Sequence, residues 1–253
     1  MNILGINLDC LSYEDMYPIF DRWLSDKYSR SHSLALVNVN CCVSAVLDKS
    51  LRRIYNSADL VGIDSMPFVY WARAFYYQKS DRFYAPDLML EISHTAKDKG
   101  YTFFLYGGMP GASDKIEAYL KQRFDGIKIV GKYSPPFRPL TYEEDRVICK
   151  MINDARPDFL WVGLGSPKQD IWISEHRDKI RGTIMIASGA TFDFFSGRIK
   201  QAPKFIQRIG FEWLYRLTRD FRRLWVRYIV YNVIFLALFT LQRLRIIRFE
   251  DNS

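Results

Sequence analysis

FLWVGLGSPKQDIWI, residues 159–173, is the stretch on which the reading of the fold turns. Phe159 to Gly165 is short, apolar and rich in aromatic and β-branched residues, the character of a strand covered on both faces. Gly163 and Gly165 then allow a tight turn, and Pro167 suits the first turn of a helix. Strand, glycine turn and helix together form the unit of a parallel α/β sheet, and such turns hold phosphate at a helix N-terminus. Neither familiar phosphate signature fits. The third glycine of the dinucleotide pattern is missing, and no Gly-Lys-Ser/Thr follows.

The same unit recurs along the chain. Strands are expected at 33–39, 58–63, 101–107, 127–131, 159–165 and 183–188. Between them lie helix candidates at 41–55, 66–77, 86–99, 111–124, 142–154 and 167–179. This alternation predicts a Rossmann-like α/β fold, a mostly parallel sheet flanked by helices, with ligands at the carboxyl ends of its strands. Those ends carry Asn38 and Asn40, Asp64, Gly107 and Gly108, Lys132 and Tyr133, Gly163 to Gln169, and Gly189 to Asp193. Polar residues and glycines gather at one predicted rim.

Charge divides the chain differently. Residues 198–253 hold 12 Lys+Arg against 4 Asp+Glu, while residues 1–197 hold 24 of each sign. The net charge of +8 therefore belongs to the tail, whose partner should be anionic. We expect a catalytic α/β domain over 1–197 and a basic helical appendage over 198–253. On a single helix, Arg208, Arg216, Arg219, Arg222, Arg223 and Arg227 span an arc of roughly 140°. Leu214, Leu217, Phe221, Leu224, Trp225 and Tyr228 lie opposite, and the pattern is firmest from Phe211 because Gly210 can break the helix. The apolar run 228–241 is shorter than the ~20 residues of a spanning helix. With Arg243, Arg245 and Arg248 beyond it, the tail fits an amphipathic helix lying on anionic lipid, or a helix docked on the core with a solvated basic face. Arg219, Arg222, Trp225, Arg227, Arg243 and Arg245 are the expected membrane contacts. Nucleic acid is disfavoured, since the tail is rich in bulky aliphatics and carries no recognised module.

Cys10, Cys41, Cys42 and Cys149 show no CxxC spacing and no histidine close in sequence, so reduced thiols are expected and no metal site. The start, MNILGINLD, lacks the regions of a secretory signal, which predicts a cytoplasmic location. The aromatic segment Phe68 to Tyr77 fits either a core helix or an interface between copies.

Several residues have the chemistry of a site. GGMPGASDKI (107–116) follows a strand and opens a helix, as a phosphate loop or an ordinary glycine turn. Lys168 can neutralise a diphosphate and Gln169 can bond a sugar hydroxyl, or the pair is simply solvated. Asp64, just after a strand, can be a general base, a ribose ligand or an N-cap. Asp193, among aromatics at another strand end, can bind a nucleoside or cap a helix.

The order of these motifs resembles the WecG/TagA/CpsF family of bacterial glycosyltransferases, from about Asn2 to Tyr228. The matching segments are NVN (38–40), ADLVGIDSMP (58–67), RFYAPDL (82–88), GGMPG (107–111), GLGSPKQD (163–170), FDFFSGRIKQAP (192–203) and FEWLYRL (211–217). Asn38 stands where the family has threonine. The resemblance implies an inverting transferase that moves a sugar from a UDP-sugar to a polyprenyl-diphosphate-linked sugar at the cytoplasmic face of the plasma membrane. Asp64 matches the proposed base, and Asn40, Arg82, Gln169 and Asp193 match pocket residues, with Asp87 in the same segment as Arg82. Arg216 and Arg223 match tail arginines thought to close over the diphosphate. No metal and no cofactor beyond the UDP-sugar are implied. Two other readings are a nicotinamide-dependent oxidoreductase and a non-enzymatic membrane adaptor. The first needs a full glycine fingerprint and an acidic ribose ligand about 20 residues on, and neither is present.

Overall fold

The computed structural model describes residues 1–25 and 30–249, apart from the side chain of Arg223. A two-stranded antiparallel hairpin comes first, β1 (Asn2–Ile3) and β2 (Ile6–Asn7). It is followed by α1 (Tyr13–Ser25), β3 (His32–Val37), α2 (Val39–Leu47), α3 (Lys49–Asn56), β4 (Leu60–Ile63), α4 (Met66–Phe75) and α5 (Ala85–Lys99). Next come β5 (Thr102–Gly107), α6 (Ala112–Arg123), β6 (Lys128–Tyr133), α7 (Tyr142–Ala155), β7 (Phe159–Gly163), α8 (Lys168–His176), β8 (Ile184–Ala187) and α9 (Gly189–Phe195). The chain ends in α10 (Lys204–Arg208), α11 (Glu212–Arg219), α12 (Phe221–Trp225), a π-helical turn (Val226–Val230) and α13 (Tyr231–Arg243).

All six expected strands form, and they make one parallel sheet in the order β4-β3-β8-β7-β5-β6. The cause is plain in β7 and β8, where Phe159, Leu160, Trp161, Val162 and Ile184 to Ala187 are all buried. Runs without a polar face are stable only when both faces are covered. Phe104, Tyr106, Leu160, Val162, Trp172, Ile173 and Met185 form one continuous apolar cluster, with Ile148 and Ile152 of α7 packed on it. At the edge, β6 alternates exposed and half-buried residues and carries Lys128 and Lys132, which discourages pairing with another chain.

The chain forms two compact units. One comprises Met1–Ser12, Leu36–Phe83 and Gln201–Ser253, and the other Tyr13–Ala35 and Tyr84–Lys200. β3 runs through both.

Two expected elements differ. The helix over 41–55 is α2 and α3, because Asp48 is extended (φ −130°) and its carboxylate caps the second helix at Ser50 N–H, 2.8 Å away. The tail helix is also segmented. Gly210 adopts φ +81° with Met66 closely packed beneath it, and Asp220 is extended (φ −146°) between α11 and α12. A break resets helical phase, so the tail arginines do not share one 140° face. Leu217, Leu224 and Tyr228 are buried around Trp213, while Leu214, Phe221 and Trp225 are exposed. Among the described residues, no helix is long and apolar enough to cross a membrane. The segment 68–77 divides: Phe68, Val69 and Ala72 are core, whereas Tyr70, Phe75 and Tyr76 are exposed.

Candidate active site

In the first unit the carboxyl ends of β3 and β4 bring charge together. Asp64 N–H donates to Val37 O at 2.8 Å, which extends the strand pairing by one residue. Asn38 caps α2, its Oδ1 accepting from Asn40 N–H (3.0 Å) and Cys41 N–H (3.3 Å). The same side chain also donates, from Nδ2 to Asp64 Oδ2 at 3.2 Å. Arg82 Nε donates to the Asp64 carbonyl at 3.0 Å. Its Nη2 lies 3.3 Å from Asp64 Oδ1 and 3.2 Å from Glu212 Oε2. The side chain of Asp64 is 17% exposed, that of Arg82 18% and that of Glu212 9%. Burial pushes the Asp64 carboxyl up to about 6, against the pull of Arg82. Glu212 adds to the rise, and Asn38 and Arg216 oppose it. Asp64 is not the N-cap of α4, since Ser65 holds that position. It is free for chemistry, and a carboxylate titrating near neutrality is suited to accept a proton.

Asn40 lies in the first turn of α2, with Oδ1 buried and accepting no hydrogen bond. Arg216 is on α11, one turn beyond Glu212. Tyr228 sits buried on the π-helical turn, where burial raises its pKa and Arg216, Arg227, Glu212 and Asp64 all act on it. The structure thus gathers Asn38, Asp64, Arg82 and Arg216 from four segments of the chain.

In the second unit the glycine loops follow β5 and β7. Gly107 and Gly163 are in register, and Gly108 N–H donates to Gly163 O at 2.9 Å. A Cβ on Gly107 would meet the Gly163 backbone at 2.6 Å, and one on Gly163 would run into the Phe192 ring. The space these glycines leave is filled by the chain itself. Gly165 is different: it adopts φ +80°, and a Cβ there would meet nothing within 4 Å. Gln169 is buried, and its Oε1 accepts from Gly165 N–H and Gly189 N–H, each at 3.0 Å. One amide oxygen therefore ties the β7–α8 loop to the start of α9. Lys168 is exposed at the first position of α8.

The remaining candidates are scattered. Lys132 pairs with Asp114 and Glu117, each at 2.6 Å. Tyr133 stacks on Tyr106, and Asp193 of α9 pairs at 2.7 Å with Arg198, just beyond the end of that helix. Asp87 is in the first turn of α5. Arg219, Arg222, Arg227 and Arg245 are exposed, and Arg243 lies over the rings of Trp71 and Phe239. The Arg223 side chain lies outside the described residues.

Sequence reasoning missed Glu212 and Tyr228. Glu212 had a signal, being the one carboxylate between Asp193 and Asp220 in a basic segment. It also missed a histidine beside a cysteine. His176 Nε2 lies 2.7 Å from Asp145 Oδ1, and a ligand atom of each and of Cys149 lie within 4.8 Å of one another. Lys179 already supplies a cation there, 3.2 Å from Asp145 Oδ2 and 3.5 Å from His176 Nε2.

The sequence matches the model of the Glycosyl transferase WecG/TagA/CpsF family over residues 1–248. The chain belongs to that family.

Proposed function

From this membership, which makes the chain a glycosyltransferase of cell-surface polysaccharide synthesis, we propose an inverting transfer from a UDP-sugar to a polyprenyl-diphosphate-linked saccharide. Asp64 is the general base. It accepts the proton of an acceptor hydroxyl while that oxygen bonds to the anomeric carbon and the bond from that carbon to the UDP oxygen breaks. The observation that carries this reading is the Asp64 carboxylate itself, held by Asn38 and Arg82 and raised to about 6 by burial. A base with that pKa is ionised at neutral pH yet retains proton affinity.

Charge grows on the departing diphosphate, and preorganised donors are the general means of stabilising it. Arg216 and Arg223 take that role. The loops at Gly107 to Gly111 and Gly163 to Gln169 hold the nucleotide, with the open Gly165 backbone and Lys168 as its nearest groups, and Asn40, Asp87, Lys132, Tyr133 and Asp193 border the sugar or nucleoside. Residues from Arg198 onward form the membrane-binding appendage, at the cytoplasmic face of the plasma membrane. Support comes from Phe205, Phe211, Leu214, Phe221 and Trp225, large apolar side chains that are exposed among the exposed Arg219, Arg222 and Arg227. Such a surface suits the lipid interface.

The test offers a panel of UDP-sugars with a lipid-diphosphate-GlcNAc acceptor and measures UDP release and product. Turnover with one donor, lost in Asp64→Asn while liposome binding persists, is the expected result. Folded protein that turns over no donor on membranes sinks the reading.

A further inference from the structure

We propose that Glu212 is a positioning residue for the transfer: by sharing Arg82 with Asp64, it keeps that guanidinium from neutralising the base. This rests on the reading of Asp64 as general base. Arg82 Nη2 is at almost equal distance from the two carboxylates, 3.3 Å from Asp64 Oδ1 and 3.2 Å from Glu212 Oε2. One cation is therefore divided between two anions. An arginine committed to Asp64 alone would favour its ionised form more strongly and leave a weaker base.

The placement of Glu212 argues for such a use. A glutamate in the first turn of a helix gains from the helix dipole while remaining in water. Glu212 is instead only 7% exposed, in a stretch whose other charged residues from Arg198 to Arg219 are all basic. Burying a carboxylate is costly unless it is paired, and Arg82 pairs with it. Its position is also fixed from behind. Leu217 of α11 packs with Leu224, Tyr228 and Trp213, so the helix that carries Glu212 is anchored by an apolar cluster.

The charged and titratable groups acting on Asp64 come from each element around it. Among the described residues they include Arg82 ahead of α5, Glu212 and Arg216 on α11, and Tyr228 on the π-helical turn. Glu212 opposes the two arginines. In the reaction Glu212 neither gains nor loses a proton: the acceptor proton goes to Asp64, and Glu212 only sets how strongly Asp64 holds it. α11 thereby links the basic tail to the base, since moving that helix away would remove the Glu212 carboxylate that competes with Asp64 for Arg82.

Two measurements on the full chain test this. In the first, kcat and kcat/KM are followed against pH for the wild type, Glu212→Gln and Glu212→Asp. The acid limb should move to lower pH in Glu212→Gln with a several-fold lower plateau in kcat and little change in donor KM, and Glu212→Asp should restore both in part. A limb that stays in place or moves upward overturns the proposal, even if the variant is less stable, because a purely structural role lowers stability without shifting the limb. The second needs no turnover. The Tm of Asp64→Asn relative to its parent is followed against pH in wild-type and Glu212→Gln backgrounds, which reads the titration of Asp64 directly. If that window moves to lower pH but no donor supports transfer, the coupling stands and the proposed function falls. If it does not move, the coupling falls.

Discussion

The Asp64 cluster and the glycine rim both lie at carboxyl ends of strands in one sheet, yet they are built on opposite principles. Around Asp64 the chain buries charge against charge: one arginine serves two carboxylates, and among the described residues the buried Asn40 Oδ1 accepts no hydrogen bond. Around Gly107 and Gly163 the chain is satisfied by itself. Backbone packs on backbone, Phe192 fills the space the glycines leave, and Gln169 answers two amide groups. The difference shows that glycine at a strand end is no single signal. It leaves open space at Gly165 and permits close internal packing at Gly163, two residues away. Unspent electrostatic potential is the better guide to chemistry.

Breaking the first region should have the largest effect. Asp64→Asn keeps the shape but removes proton acceptance, and a loss of ~10²–10⁴-fold in kcat is expected with liposome binding unchanged. Steady-state kinetics and vesicle flotation measure the two. A residual rate within about threefold of wild type would move the base elsewhere.

The same substitution tests the stored charge through stability. Asp64 titrates at about 6 in the folded chain against an ordinary value of 3.8. Its folded pKa is raised, so its contribution to stability is fully present below about pH 4 and is lost as pH rises through about 6. Asp64→Asn should therefore gain on the wild type across that window, reaching about 3 kcal/mol at about pH 8. Chemical denaturation at a series of pH values measures the gain. A constant difference would mean that the site does not strain its base.

In the rim, Gly163→Ala and Gly165→Ala separate packing from access. The first drives a methyl into Phe192 and should cost about 2 kcal/mol. Gln169→Ala comes next, at about 1–2 kcal/mol, because two loop amides lose their acceptor. Gly165→Ala meets no neighbour, so only its positive φ is penalised, by about 1 kcal/mol. Its main effect should be a raised donor KM. Thermal melts alongside donor titrations distinguish the three. Equal losses of stability at 163 and 165 would erase the contrast.

The inner strands were legible because each is a short apolar run with no polar face, a pattern that admits few other structures, and the edge strand β6 because of its β-branched core and flanking turns. The helix breaks at Asp48 and Asp220 were not, since a single cap or an extended residue outweighs the propensities around it. Asp64 was legible as a polar residue at a strand end, but its neighbours were only partly so. Asn38, Arg82 and Glu212 all fall in the segments that resemble the family, but Glu212 stands 130 residues from Arg82 and nothing in those segments announces that the two pair.

The alternation of buried strands and helices, the basic tail and the family all rest on local pattern and order, and the amino-acid sequence alone was enough for each. Which glycines are packed and which are open, that one arginine is divided between two carboxylates, and that Gln169 faces the backbone emerge only when the chain is folded. The reason is range. Periodicity and composition act over a few residues, but the energy of a buried charge depends on whatever the fold brings within a few ångströms of it, however far away in the chain.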